Sequence, residues 1–244
     1  MTGVRRAAGC AGTTAPSGGT TLLVIAKEPV PGRVKTRLTP PYSPRQAAAL
    51  AEAALADTLD AVLRAPSRRR VLVLDGAPGA WLPPGIEVVP QVRGGLDERL
   101  AAAFAGCTGP ALLVGMDTPQ LTPALLGPAL RPDAWLGCDA WFGPAEDGGF
   151  WALGLAVPDP ALILGVPMST DLTGEIQRRR LTDAGLRVRD LARLRDVDTA
   201  ADVAEVAARV PGSRFAAMAR TTGTSLEPVG TGPLPGDGTG RAAR

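Results

Sequence analysis

Three uninterrupted apolar runs restrict what this chain can fold into: Leu22-Leu23-Val24-Ile25, Val71-Leu72-Val73-Leu74 and Ala111-Leu112-Leu113-Val114. A strand with one wet face alternates apolar and polar residues. A strand without alternation is buried on both faces, which is the habit of a parallel sheet covered by helices. Helical signals lie between the runs. Ser43-Pro44-Arg45-Gln46 combines a capping box with proline in the first turn. Ala47, Leu50, Ala54, Leu55 and Val62 then form an apolar stripe that stops at Pro66. The pattern predicts strands over 21–26, 71–75, 86–89 and 111–115. It predicts helices over 96–105 and, capped by Thr122-Pro123, just after the fourth strand. Strands near 138–143 and 149–155, a helix over 171–184, a strand over 186–190 and a helix over 200–209 complete it. Such alternation is an α/β fold with a parallel-rich sheet, and ligands of such sheets bind beyond the carboxyl ends of the strands.

Composition trims the range of functions. Residues 1–19 and 212–244 lack apolar periodicity and read as a disordered leader and a Gly-, Pro- and Thr-rich tail, leaving 20–211 as a single domain. No apolar run approaches the roughly 20 residues of a membrane span. The net charge is only +2, with the arginine surplus in the two tails, so nothing points to a nucleic-acid partner. The chain contains no histidine, which removes Ser-His and Cys-His pairs and His-based zinc sites. Acid–base work must fall to carboxylates, lysine, tyrosine or water. Cys10, Cys107 and Cys138 have no metal-type spacing and suit free thiols in a reducing compartment, so a cytoplasmic location is expected.

Charge is placed unevenly in one loop. The chain has only two lysines against 24 arginines, and both lysines fall in Ala26-Lys27-Glu28-Pro29-Val30-Pro31-Gly32-Arg33-Val34-Lys35-Thr36-Arg37, directly after the first strand. Four cations in a Pro/Gly loop suit a polyanion, and an ammonium is not interchangeable with a guanidinium at a phosphate. The loop lacks the glycine spacing of a Walker loop or of a dinucleotide fingerprint. Ala26, Lys27, Gly32, Arg33, Lys35, Thr36 and Arg37 are therefore the candidate nucleotide-phosphate residues.

Three acidic segments complete the candidates. Asp117 follows the most apolar strand, where a lone carboxylate must reach water or a cation. A hard divalent ion such as Mg²⁺ or Mn²⁺ bridging it to a diphosphate would fit, as would an Asx turn. Gly143-Pro144-Ala145-Glu146-Asp147-Gly148-Gly149-Phe150 sets Glu146 and Asp147 before paired glycines, which allow close approach to a ligand and also mark hairpin turns. Asp196-Val197-Asp198-Thr199 is a literal Asp-x-Asp. Asp198 is a second metal candidate, although Thr199 and Asp202 also spell a capping box.

These segments, in this order, resemble the GT-A-like glycosyltransferase family that includes the arsenosugar-biosynthesis glycosyltransferases, within the nucleotide-diphospho-sugar transferase superfamily. The family is similar to the molybdenum-cofactor and phospholactate guanylyltransferases. The resemblance covers roughly residues 21–205. It implies a mixed, mostly parallel sheet between helices, a nucleoside di- or triphosphate donor and a divalent metal. By position it implies phosphate contacts from Lys27, Arg33, Lys35 and Arg37, a metal at Asp117, and Asp147 where sugar and acceptor meet. Asp97 and Met168 stand where relatives commonly have glycine and tryptophan, in two regions expected to border the ligand. The expected activity is metal-dependent glycosyl transfer from a nucleotide sugar to a small-molecule acceptor, with Asp147 or Glu146 taking the acceptor's proton. The alternatives are nucleotidyl transfer with release of pyrophosphate, or nucleotide binding without turnover.

Overall fold

A computed structural model describes residues 19–224. Strands β1 (Thr21–Lys27), β2 (Arg69–Asp75), β3 (Glu87–Pro90), β4 (Ala111–Gly115), β5 (Ala140–Pro144), β6 (Phe150–Leu155) and β7 (Val188–Asp190) form one sheet in the order β3-β2-β1-β4-β6-β5-β7. All neighbouring pairs are parallel except those made by β6, which runs antiparallel to both β4 and β5. Two successive reversals restore direction, so β5 runs with β4 and its carboxyl end reaches the same edge. The result is the expected mixed, mostly parallel sheet between helices.

Alternate residues of the apolar strands serve the two faces. Leu22, Val24, Leu72, Leu112 and Val114 pack under helices α1 (Pro44–Arg64) and α3 (Pro123–Leu130). Leu23, Val71, Val73 and Leu113 pack under α2 (Leu96–Ala105) and α4 (Thr173–Asp183). Helix α1 starts where the sequence indicates: the Ser43 hydroxyl accepts the Gln46 N–H, and Gln46 Oε1 accepts the Ser43 N–H at 2.8 Å. Helix α5 (Ala200–Arg209) starts on the Thr199–Asp202 capping box.

The boundary expected at residue 212 needs correction. Residues Arg214–Thr224 form a further helix, α6, packed against α1 and α5. Phe215 and Ala216 are completely buried there, beside Leu50 and Val206. Asp57 of α1 accepts the Arg214 and Phe215 N–H groups, satisfying two donors at the start of α6. Phe215 leads this packing, with Met218 and Ala219 beside it, and full burial of such an aromatic side chain contributes about 1.5–3 kcal/mol. Residues 1–18 and 225–244, the rest of the expected leader and tail, lie outside the described residues. Among the described residues, no helix is long and apolar enough to cross a membrane.

Candidate functional site

The carboxyl ends of β1, β4 and β5 open on a cleft of about 850 Å³. Lys27 is the last residue of β1 and is paired in register with Asp75, the last residue of β2. The following loop is anchored by buried Val34 and Leu38 and closes in a single 3-10 turn, Thr36–Leu38. Lys35 adopts a left-handed conformation (φ 49°, ψ 41°) at the head of that turn. For a residue with a Cβ this is an uncommon backbone state, and it turns the side chain inward.

Lys35, expected at the donor phosphates, is turned toward two carboxylates. Its side chain is only 8 % exposed, and Nζ lies 2.9 Å from both Asp117 Oδ1 and Asp198 Oδ1. Burial works against its charge, but the two carboxylates outweigh burial and hold the ammonium above the usual lysine range. The contact with Asp117 is ionic, since Asp117 Oδ1 has no donor in hydrogen-bonding alignment. Lys35 is thus the internal counterion of the two expected metal ligands. Lys27 and Arg33 remain exposed on the cleft wall. Among the described residues neither side chain has a hydrogen bond or ion pair. Arg37 is 71 % exposed and reaches Asp198 Oδ2 at 3.5 Å, a contact of little energy. Ala26 and Thr36 also line the cleft, whereas Gly32 does not and serves the turn at φ 77°.

The Asp-x-Asp segment docks on the end of β4. The Val197 N–H donates to the Asp117 carbonyl at 3.0 Å, and the Val197 side chain is buried. Extended backbone then sends its neighbours Asp196 and Asp198 to the other side, into the cleft. The capping box and the cleft role coexist: Asp202 caps the helix while Asp198 faces Lys35. Asp196 is not among the sequence candidates; its signal is the alternation around Val197. Its Oδ1 is buried without a hydrogen-bond partner. Burial first, then the negative charges of Asp117 and Asp147, push its carboxyl up to about 7, with Lys35 opposing.

Glu146 and Asp147 part company. Asp147 lines the cleft, and its Oδ1 accepts the Gly149 N–H at 2.9 Å, so it also makes the turn. Gly148 is required here: a Cβ would lie 1.9 Å from the Asp171 carbonyl oxygen, at φ +87°. Glu146 does not face the cleft. Its oxygens bind Arg195 at 3.1 Å and Arg209 at 3.0 Å, tying the β5–β6 turn to α5. It is therefore withdrawn as a proton acceptor.

The segment around Gln91–Arg99 closes the opposite wall. Gln91 donates to the Ala26 and Val73 carbonyls at 2.8 and 3.0 Å, and Arg99 binds Asp75 at 3.1 Å and Gln91 at 3.2 Å. Asp97 does not face the cleft; it accepts the Gly165 N–H at 2.9 Å, whereas Met168 lines the cleft.

Among the described residues no three His, Cys, Asp or Glu side chains are arranged to hold a metal ion. The donor chemistry nevertheless suits a hard divalent cation. Asp196 carries a buried carboxylate oxygen without a partner, and Asp117 and Asp198, which share the single ammonium of Lys35, adjoin it. Mg²⁺-type ions commonly take one or two carboxylates and complete their shell with substrate phosphates and water.

A search of curated proteins returned no match. Among solved structures, the chain is similar to a provisionally assigned nucleotide-diphospho-sugar transferase from Desulfovibrio desulfuricans G20. The identity is 26 % and the TM-score 0.75, over 85 % of this chain and 96 % of that one. It shares a fold with the homolog of Mycobacterium tuberculosis rv0371c from Mycobacterium sp. strain JC1, at 18 % identity and TM-score 0.50, over 83 % and 98 % of the two chains. The family profile described as "Uncharacterized protein conserved in bacteria (DUF2064)" matches residues 49–170. These residues run from within α1, through β4 and Asp117, to the Asp147 turn and the rim at Thr170, half of the whole length; the chain belongs to the DUF2064 family and has the GT-A-like fold of the nucleotide-diphospho-sugar transferases.

Proposed function

We propose that the protein is a glycosyltransferase that takes a nucleotide-sugar donor and a small-molecule acceptor. The observation that carries this reading is the division of the cleft: unpaired Lys27 and Arg33 on one wall, Asp147 on another, and the Asp117–Lys35–Asp198 cluster between them. The similarity to a nucleotide-diphospho-sugar transferase and the motif resemblance to arsenosugar-biosynthesis glycosyltransferases support a sugar-bearing donor.

In this reading Lys27 and Arg33 hold the donor diphosphate and stabilise the charge that develops on it as the glycosidic bond breaks. Asp147 accepts the proton of the attacking acceptor hydroxyl. Lys35 keeps Asp117 and Asp198 together and offsets one of their two negative charges. Asp117 and Asp198 would hold a divalent ion, which supplies Lewis-acid stabilisation of the leaving diphosphate.

Products decide the matter. Incubation with nucleotide sugars and Mn²⁺ should release nucleoside diphosphate, and D147N should lose turnover while retaining donor affinity. Pyrophosphate formed from a nucleoside triphosphate would replace this reading with nucleotidyl transfer. Turnover lost in D196N but kept in D147N would move the proton acceptor to Asp196.

A further inference from the structure

The charge left free in the cleft is sorted by wall, and that sorting bears on the acceptor. On the β1 side, Lys27 and Arg33 are unpaired. Arg37, on the same side, is held only loosely by Asp198, whereas Arg99 is engaged by Asp75, and Arg195 by Glu146, Asp202 and Glu205. On the wall formed by the β5–β6 turn and the approach to α4, the free charge is negative. Asp147 and Asp171 face the cleft, and neither carboxylate makes an ion pair among the described residues.

The feature of this wall best suited to an anion is the start of α4, where backbone N–H groups and the helix dipole converge. It is already occupied. The Leu172 N–H donates to Thr170 Oγ1, the Thr173 N–H to the Thr170 carbonyl, and the Gly174 N–H to the Gly148 carbonyl at 2.8 Å. Asp171 flanks these amides with an unpaired negative charge, whereas Glu175, one turn on, is ion-paired with Arg179 at 2.5 Å. A phosphate or carboxylate brought here would find, among the described residues, no unpaired cation, no free amide at these positions and the free carboxylates of Asp147 and Asp171.

The same wall offers different contacts. Phe150 and Met168 give it a half-buried apolar patch, with Phe150 held against Phe142 at 5.6 Å between ring centroids. Ser169 sits beside the patch at φ 60°, a strained state for a residue with a Cβ and of the kind that clusters at ligand sites.

We propose that this wall is the acceptor subsite and that it selects a hydroxyl-bearing acceptor without anionic groups, neutral or amine-bearing, with an apolar face to lay on Phe150 and Met168. The inference rests on the glycosyl-transfer reading, and it excludes phosphorylated acceptors.

The test uses the full chain, saturated with the nucleoside-diphosphate hexose that stabilises it most. Three matched probes serve as acceptors: an aminohexose, the parent hexose and the hexose 6-phosphate. The first two should be used at least about tenfold more efficiently than the third, a difference of roughly 1.4 kcal/mol. D171K should shrink that ratio about tenfold with donor affinity unchanged. Asp171 is exposed, so the substitution leaves the packing alone. Preference for the hexose 6-phosphate, or a ratio untouched by D171K, would overturn the proposal. If no probe turns over, calorimetric binding of the three to the donor-saturated protein reads the same preference, and equal or phosphate-favouring affinities refute it. Release of hexose 1-phosphate in place of nucleoside diphosphate with the neutral probe, the mark of attack at the α-phosphate, would sink the glycosyl-transfer reading and leave the acceptor preference standing.

Discussion

Asp196→Asn should stabilise this protein at neutral pH, although it removes a charged residue from the middle of the candidate site. Asp196 has one carboxylate oxygen buried without a donor, and it faces the negative charges of Asp117, Asp147 and Asp198. Together these raise its carboxyl from 3.8 to about 7. The folded state therefore holds a proton that the unfolded chain has already released. Stability must fall as pH rises from the unfolded value, near 4, to the folded value near 7, and level off above it. A tenfold change in proton affinity is worth about 1.36 kcal/mol, so a rise of this size sets a ceiling near about 4 kcal/mol. Asp196 is only partly excluded from solvent, and screening lowers the expected figure to about 1–3 kcal/mol. Asparagine has the shape of the protonated acid and cannot ionise. Urea denaturation without divalent cations should give matched midpoints for wild type and D196N near about pH 4, with the variant increasingly more stable up to about pH 7 and the gap constant beyond. A gap that does not change with pH, or a variant less stable at neutral pH, would refute the reasoning and mean that the fold stabilises the carboxylate.

The two lysines should behave differently. Lys35→Met leaves Asp117 and Asp198 without their counterion and, since both carboxylates are 35 % exposed and partly screened, should cost about 1–3 kcal/mol of stability by chemical denaturation. Lys27→Ala should leave stability within about 0.5 kcal/mol and weaken nucleotide binding, by calorimetry, by about 1–3 kcal/mol. The reverse pattern would contradict the division of roles. Phe215→Ala should cost about 3–5 kcal/mol, because the ring is fully buried between helices; an unchanged urea midpoint would show that α6 contributes nothing. Gly148→Ala drives a Cβ into the Asp171 carbonyl and should cost at least about 2 kcal/mol, read from its melting transition; a wild-type transition would mean that the turn relaxes freely.

The reach of the sequence follows the strength of its local signals. Continuous apolar runs and capping boxes act over a few residues, and β4, α2 and α5 have in the structure the boundaries these signals indicate. The β5–β6 pair is legible as two strands. The Asp147-Gly148-Gly149 hairpin signal also marks the reversal between them, whereas the insertion of β6 between β4 and β5 is not legible, because it depends on which neighbours pair. Helix α6 escapes a sequence reading because its apolar stripe is short, Phe215, Met218 and Ala219 among small and polar residues, and its burial depends on the groove that α1 and α5 supply. At the site, the clustering of both lysines marks the right loop. It does not separate Lys27 from Lys35, which differ through a left-handed backbone turn and the arrival of Asp198 from 163 residues away. Glu146 and Asp147 are adjacent and alike in chemistry, and only the placing of Arg195 and Arg209 tells them apart.

The reversed strand has a further consequence. Because β6 runs against its neighbours, the chain leaves it at the edge of the sheet opposite the cleft. The next stretch must climb back before α4 begins, and that climb delivers Met168, Ser169 and Asp171 to the rim. It is pinned partway, by the Gly165 N–H on Asp97 and by Gln177 on the Leu162 carbonyl. The reach of this return leg, rather than any residue in the sheet, sets how far the rim overhangs the cleft. Residues added or removed past these pins, between 167 and 170, would shift the rim without disturbing buried Ile163 and Val166 or the strands beneath. Such length changes offer the fold a simple way to admit acceptors of a different size while Lys27, Asp117 and Asp147 stay in place.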